Sequence, residues 1–105
     1  MKQMLRALKR RTNFPILRIY IPGILETMPD EFDSHQFIGA FAYQEESTYI
    51  QALLDAGWNM PIQTINDAII HWLEQSGFVR QIATRESENM FKQRRSVAVW
   101  KKVAL

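Results

Sequence analysis

The chain predicts an α+β fold made of an N-terminal strand, three helices and a C-terminal two-stranded hairpin. Three observations predict it. A capping-box pattern opens at Asp33 with Gln36 three residues on. Gly57 and Gly77 each close a stretch whose apolar residues recur at helical spacing. After Gly77 the apolar period changes from about 3.6 residues to about 2, the change expected where helix gives way to strand.

Residues 1 to 11 set Met1, Met4, Leu5 and Leu8 at helical spacing among Lys2, Arg6, Lys9 and Arg10. That pattern suits a short basic amphipathic helix, marginal by itself in water. The run Phe14 to Ile21 is rich in β-branched and aromatic residues and meets Pro22-Gly23, so it reads as a strand closed by a turn, with Pro15 favouring a sheet edge. Asp33 then caps the first helix, Phe32 is placed to staple onto Phe37, and Phe37, Ile38 and Phe41 form its buried stripe.

A second helix is expected from about Ser47 to Ala56, burying Tyr49, Ile50, Leu53 and Leu54. The third buries Ile62, Ile65, Ile69, Trp72 and Leu73. Its start has two candidates: Pro61, which suits a first turn, and Thr64, which has Asp67 three residues on in a capping pattern. Phe78 to Thr84 and Ser96 to Val103 read as the strands of the hairpin, Trp100 being the largest anchor, with Arg85 to Arg94 as a polar loop. Residues 1–25 are thus expected to form a basic arm and edge strand, and residues 26–105 the domain proper.

At 105 residues the chain has the size of one domain with one core. No run of apolar residues approaches the ~20 needed to span a bilayer, so no membrane partner is expected. The absence of cysteine excludes disulfides and thiolate-bound zinc, and it fits a reducing cytoplasm. The basic, acid-free start lacks a secretory h-region, although its composition is also that of a mitochondrial presequence.

Charge is segregated. All 13 Lys and Arg residues lie at or before Arg18 or at and after Arg80, and the net +2 divides into about +6 for residues 1–18, −9 for 19–79 and +5 for 80–105. Segregation of this kind points to a polyanion or to an oppositely charged protein surface.

The order of elements is similar to a winged helix-turn-helix domain over roughly residues 32 to 103. Leu53, Leu54, Gly57, Ile65, Ile69, Leu73, Gly77, Phe78 and Val79 carry the likeness. The phrase Ile69-Ile70-His71-Trp72-Leu73-Glu74-Gln75-Ser76-Gly77-Phe78-Val79 resembles the passage from a recognition helix into the first wing strand. The resemblance implies that the third helix approaches the major groove of duplex DNA and the wing approaches the backbone or minor groove. This chain departs from the pattern, because the outward arc Gln63, Thr64, Asp67, His71, Glu74 and Gln75 has two carboxylates and no cation.

The candidate DNA-binding residues follow. Arg85, Lys92, Arg94 and Arg95 form a basic wing, partly neutralised by Glu86 and Glu88. Lys9, Arg10 and Arg11 belong to a basic arm suited to a backbone or minor groove, or to a second subunit. Gln63 and Thr64 sit at the head of the third helix, where amides can meet base edges, while Thr64 can equally be a cap and Asn66 a buried, bonded amide. Met90 and Phe91 at the loop tip suit folding back or a dimer contact better than insertion into DNA.

No catalytic group is expected. The four glycines are scattered, no nucleophile has a base beside it, and His35 and His71 have no partner at metal-ligand spacing. No cofactor is expected. The sequence therefore favours a non-catalytic DNA-binding regulator or accessory protein. Its rival is a protein-interaction module or homo-oligomer in which the acidic middle of one molecule meets the basic ends of another.

Overall fold

The computed structural model describes residues 14–103, which fold as α+β with four helices and a three-stranded antiparallel sheet. The order is α1 (Ile16–Thr27), β1 (Glu31–Asp33), α2 (Ser34–Gln44), α3 (Glu46–Ala56), α4 (Pro61–Gln75), β2 (Val79–Glu88) and β3 (Arg94–Lys102). Strand β3 is central, with β1 on one side and β2 on the other.

The expected N-terminal strand is helix α1, the main correction to the fold. Its β-branched run hides a helical stripe, since Leu17, Ile21, Ile24 and Leu25 are buried at spacings of four, three and one. Pro15 lies at the helix entry and Pro22 inside it. An interior proline ordinarily costs about 3 kcal/mol through a lost hydrogen bond and a steric clash. Four buried aliphatic side chains, at roughly 1.5–3 kcal/mol each, outweigh that. The helix ends at Thr27, and Met28, extended before Pro29, caps it. The boundary expected at residue 25 thus falls within an element that shares the core of the rest.

The edge strand is instead the short β1, in which Phe32 pairs with Trp100 and Asp33 with Val99. Asp33 caps α2 as the sequence predicts. The Gln36 amide donates to its Oδ1 (2.9 Å), and its own amide donates to Gln36 Oε1 (2.8 Å). Phe32 and Phe37 complete the staple with ring centroids 5.8 Å apart.

Helix α3 is turned relative to expectation. Tyr49 and Ala52 are buried and Leu53 and Ala56 pack against the core, so the contact row runs at spacings of three, one and three. Ile50 and Leu54, expected inside, stand out at 48% and 70% exposure. The Tyr49 hydroxyl ties α3 to α4 by donating to Asn66 Oδ1 at 2.7 Å, and burial pushes its pKa up. Tyr49→Phe is expected to destabilise the protein by about 1 kcal/mol, the usual net value of one such bond, as measured by urea unfolding.

Helix α4 starts at Pro61, so the Thr64 cap is not used; the Thr64 amide donates to Met60 O within the first turn (3.0 Å). Ile65, Ala68, Ile69 and Leu73 are buried, Trp72 is half-buried and Ile62 is exposed. Gly77, at φ 78°, turns the chain into β2 with a backbone that other residues adopt only under strain. The hairpin strands run further than expected, reaching Glu88 and Arg94 and leaving only residues 89–93 as the tip. Period-2 patterning misses this extension because Thr84 to Glu88 and Arg94 to Ser96 pair through their backbones while nearly all stay exposed. No helix among the described residues is long and apolar enough to cross a membrane.

Candidate functional site

A groove of about 1010 Å³ separates the outer face of α4 from the hairpin. Its α4 wall presents Gln63, Asp67, Ile70, His71 and Glu74, with Met60 and Ile62 at the head of the helix. The opposing wall consists of Asn89, Met90, Phe91, Gln93, Arg95 and Val97, and the start of α2 contributes Ser34, His35 and Ile38. Among the described residues, apolar surface therefore dominates a groove that has Asp67 and Glu74 on one wall and Arg95 on the other. Partial burial at this wall raises the Asp67 carboxyl above the usual carboxylate range. His35 Nδ1 and Trp72 Nε1 are buried with no hydrogen-bond partner among the described residues.

Local bonding shapes the tip. Asn89 Oδ1 accepts from the amides of Phe91 (2.9 Å) and Gln93 (3.0 Å), and the Lys92 amide donates to Asn89 O (3.0 Å). This turn holds Lys92 at φ 62° and leaves Met90 and Phe91 48% and 55% exposed, lining the groove.

The structure divides the four basic residues predicted for the wing. Arg85 is engaged: from the outer strand it reaches across β3 to Asp33, donating from Nε (3.0 Å) and Nη2 (2.8 Å) to Oδ2, and from Nη2 to Gln36 Oε1 (3.0 Å). Asp33 is only 2% exposed. Burial alone would raise its pKa, but the bonds from the Gln36 amide and from Arg85 outweigh this and hold the carboxyl below its usual value. Arg85 thus serves as an internal clamp, with Nε and Nη2 of its guanidinium already engaged.

Arg94, Arg95 and Lys92 are exposed near the tip. Arg94 Nε lies 3.7 Å from Glu86 Oε2, with both side chains largely in solvent, a pairing of little energetic weight. Arg95 Nη1 donates to Arg94 O (2.9 Å) and borders the groove.

At the hairpin's other end Lys102 Nζ donates to Met28 O (2.6 Å), and Lys101 approaches Asp30 and Glu31 at 3.9 Å. The basic tail therefore splits into a solvated tip and a base at which Lys102 is internally bonded, Lys101 lies near two carboxylates and Arg80 is exposed. Gln63 is exposed on the groove wall, Thr64 is half-buried in the first turn of α4, and Asn66 is the bonded amide that accepts from Tyr49. Lys9, Arg10 and Arg11 lie outside the described residues.

Sequence reasoning missed the Arg85–Asp33 clamp, because nothing local marks a pair 52 residues apart. It also missed Met60 and Ile70 as groove residues, although Ile70 follows Ile69 directly and so falls off the buried stripe. Among the described residues no group of three or more His, Asp or Glu is gathered to hold a metal. No family model, curated protein or solved structure matches the chain.

Proposed function

We propose that the chain is a winged helix-turn-helix domain that binds duplex DNA without catalysis, as a transcription-regulator-like or accessory protein. The observation that carries this reading is the side-by-side arrangement of α4 and a hairpin whose tip bears Lys92, Arg94 and Arg95 in solvent. The sheet order β1-β3-β2, with helices inserted between β1 and the hairpin, supports the winged-helix assignment. In this reading the tip holds phosphates and releases their counterions, while α4 offers only its uncharged head, Gln63 and Thr64, to base edges. Asp67 and Glu74 keep the remainder of α4 back from the backbone.

A second reading has its own observation. An apolar groove with carboxylates on one wall suits a basic protein segment better than a phosphate chain, which favours a protein-interaction module or homo-oligomer. A mobility-shift titration of duplex DNA across salt, beside light scattering of the protein alone, separates the two. DNA binding requires affinity that rises steeply as salt falls, whereas an oligomer without duplex affinity at low salt would overturn it.

A further inference from the structure

We propose that the outward face of α1 docks onto the same face of a second copy of this chain, antiparallel, about a two-fold axis beside Pro22. No α1 residue lines the groove between α4 and the hairpin, so a pair formed there leaves that groove open and does not depend on the DNA reading.

Burial of Leu17, Ile21, Ile24 and Leu25 fixes which side of α1 meets the core. At about 100° per residue, Ile16, Ile19, Gly23 and Glu26 fall on the opposite side. Ile16 and Ile19 are 50% and 68% exposed. Gly23 is exposed as well, with nothing within 4 Å of the place a Cβ would take, so a neighbouring helix can approach closely there. Within its own molecule α1 gains nothing from these choices, because exposed isoleucine and interior glycine are both poorer helix formers than alanine. A covering surface gives them a role.

Charge selects the occupant. Arg18, Pro22 and Glu26 recur every four residues and form one row along a flank of that face: Arg18 and Pro22 border the cleft against Trp72, and Pro22 and Glu26 border the next cleft, against Phe78. Arg18 and Glu26 are both exposed, and neither joins an ion pair among the described residues. Lys102, which shares the cleft of Glu26, donates its Nζ to Met28 O. The Arg18 guanidinium lies 5.9 Å over the Trp72 ring, and stacking by its face leaves N–H edges to donate.

Glu26 stands two turns from Arg18, about 12 Å along the axis. A two-fold axis through the contact beside Pro22 brings Arg18 of each copy level with Glu26 of the other, and Ile19 to within a turn of the second copy's Gly23. Two ion pairs then flank an apolar contact. A parallel pair would set Arg18 against Arg18 and Glu26 against Glu26, and a partner of one charge would satisfy only one end of the row. One helix face from each copy lies at the low end of specific interfaces, below about 1,200 Å², so the pair is weak, with dissociation between about 1 μM and 1 mM.

Sedimentation equilibrium of the full chain, from micromolar to millimolar concentration, is expected to show monomer and dimer in exchange. Ile19→Asp is expected to leave a monomer with an unchanged urea midpoint, since that side chain is exposed. Arg18→Glu and Glu26→Arg are each expected to weaken association roughly 10-fold, because each turns two attractive contacts into two repulsive ones. Mixing those two variants in equal amounts is expected to restore it, since every contact in the mixed pair joins opposite charges. A monomer throughout the range would overturn the proposal. So would association that survives Ile19→Asp, charge variants that associate as the wild type does, or a mixture no tighter than its components.

Discussion

Asp33→Ala is expected to destabilise the protein by about 3 kcal/mol at neutral pH, a large share of the roughly 5–15 kcal/mol that holds a domain of this kind together. Two losses combine. The α2 cap disappears, at about 1 kcal/mol, and the Arg85 guanidinium loses the carboxylate it reaches across the sheet to meet. Because the Arg85 side chain is half-exposed, at 49%, it can turn toward water, and the second loss is correspondingly moderated.

Arg85→Ala works from the opposite side, leaving a nearly buried carboxylate held chiefly by the Gln36 amide. It is expected to cost about 2 kcal/mol, less than the 3–5 kcal/mol of a fully buried pair. Asp33→Asn keeps a good capping residue and loses the charge, so its cost lies below that of alanine. Urea unfolding of the three variants checks the order, and a double-mutant cycle between positions 33 and 85 isolates the coupling.

The pH dependence has a definite sign. The folded-state pKa of Asp33 lies below its unfolded value, so the stabilisation is complete above about pH 4, the ordinary aspartate range, and is lost as pH falls through the folded value. Between pH 5 and pH 2 the wild type should therefore lose stability more steeply than Asp33→Asn. Equal slopes would show that the clamp does not set the ionisation of this carboxyl.

The legibility of this chain followed the range of the interactions involved. The α2 cap, its staple, the Gly57 and Gly77 stops and the middle of the α4 stripe, Ile65, Ile69 and Leu73, are local devices, written within four or five residues, and they stand as the sequence predicts, whereas Ile62 is exposed and Trp72 half-buried. The segment of helix α1 reads as a strand because a β-branched run with two prolines has poor helix propensity, and only packing against α4 and α2 explains why it is helical. Helix α3 was placed correctly but turned, since two overlapping apolar rows compete and the core selects the one containing Tyr49 and Ala52.

The candidate site shows the same division. Cations of the hairpin are visible as composition, but which are free depends on partners far away in sequence: Arg85 belongs to Asp33 and Lys102 to Met28 O. At the tip this leaves Lys92, Arg94 and Arg95 as the solvated group, with Arg80 exposed apart from them at the hairpin's base, a smaller and more sharply located set than the charge count implied.

From that set comes the second large effect: Arg94→Ala with Arg95→Ala is expected to weaken duplex DNA binding roughly 10- to 60-fold near 0.1 M salt and to reduce the salt slope by about 1.8, at about 0.9 per phosphate contact. Folding stability should change little, by about 0.5 kcal/mol or less, because both side chains are exposed and the Arg94–Glu86 pair is a loose surface contact. Arg85→Ala should give the reverse, a loss of stability with the salt slope unchanged, since that guanidinium is already engaged at Asp33. Glu86→Gln removes the carboxylate nearest the Arg94 guanidinium among the ion pairs of the described residues, leaving its cross-strand partner Glu88, and is expected to strengthen binding. Asp67→Asn with Glu74→Gln then reports on α4: tighter binding means that the helix approaches the duplex, and unchanged binding means that the hairpin alone holds it. If Arg94→Ala with Arg95→Ala leaves the salt slope untouched, phosphates are not held at the tip, and the groove's apolar, acid-edged wall becomes the better guide to what this protein binds.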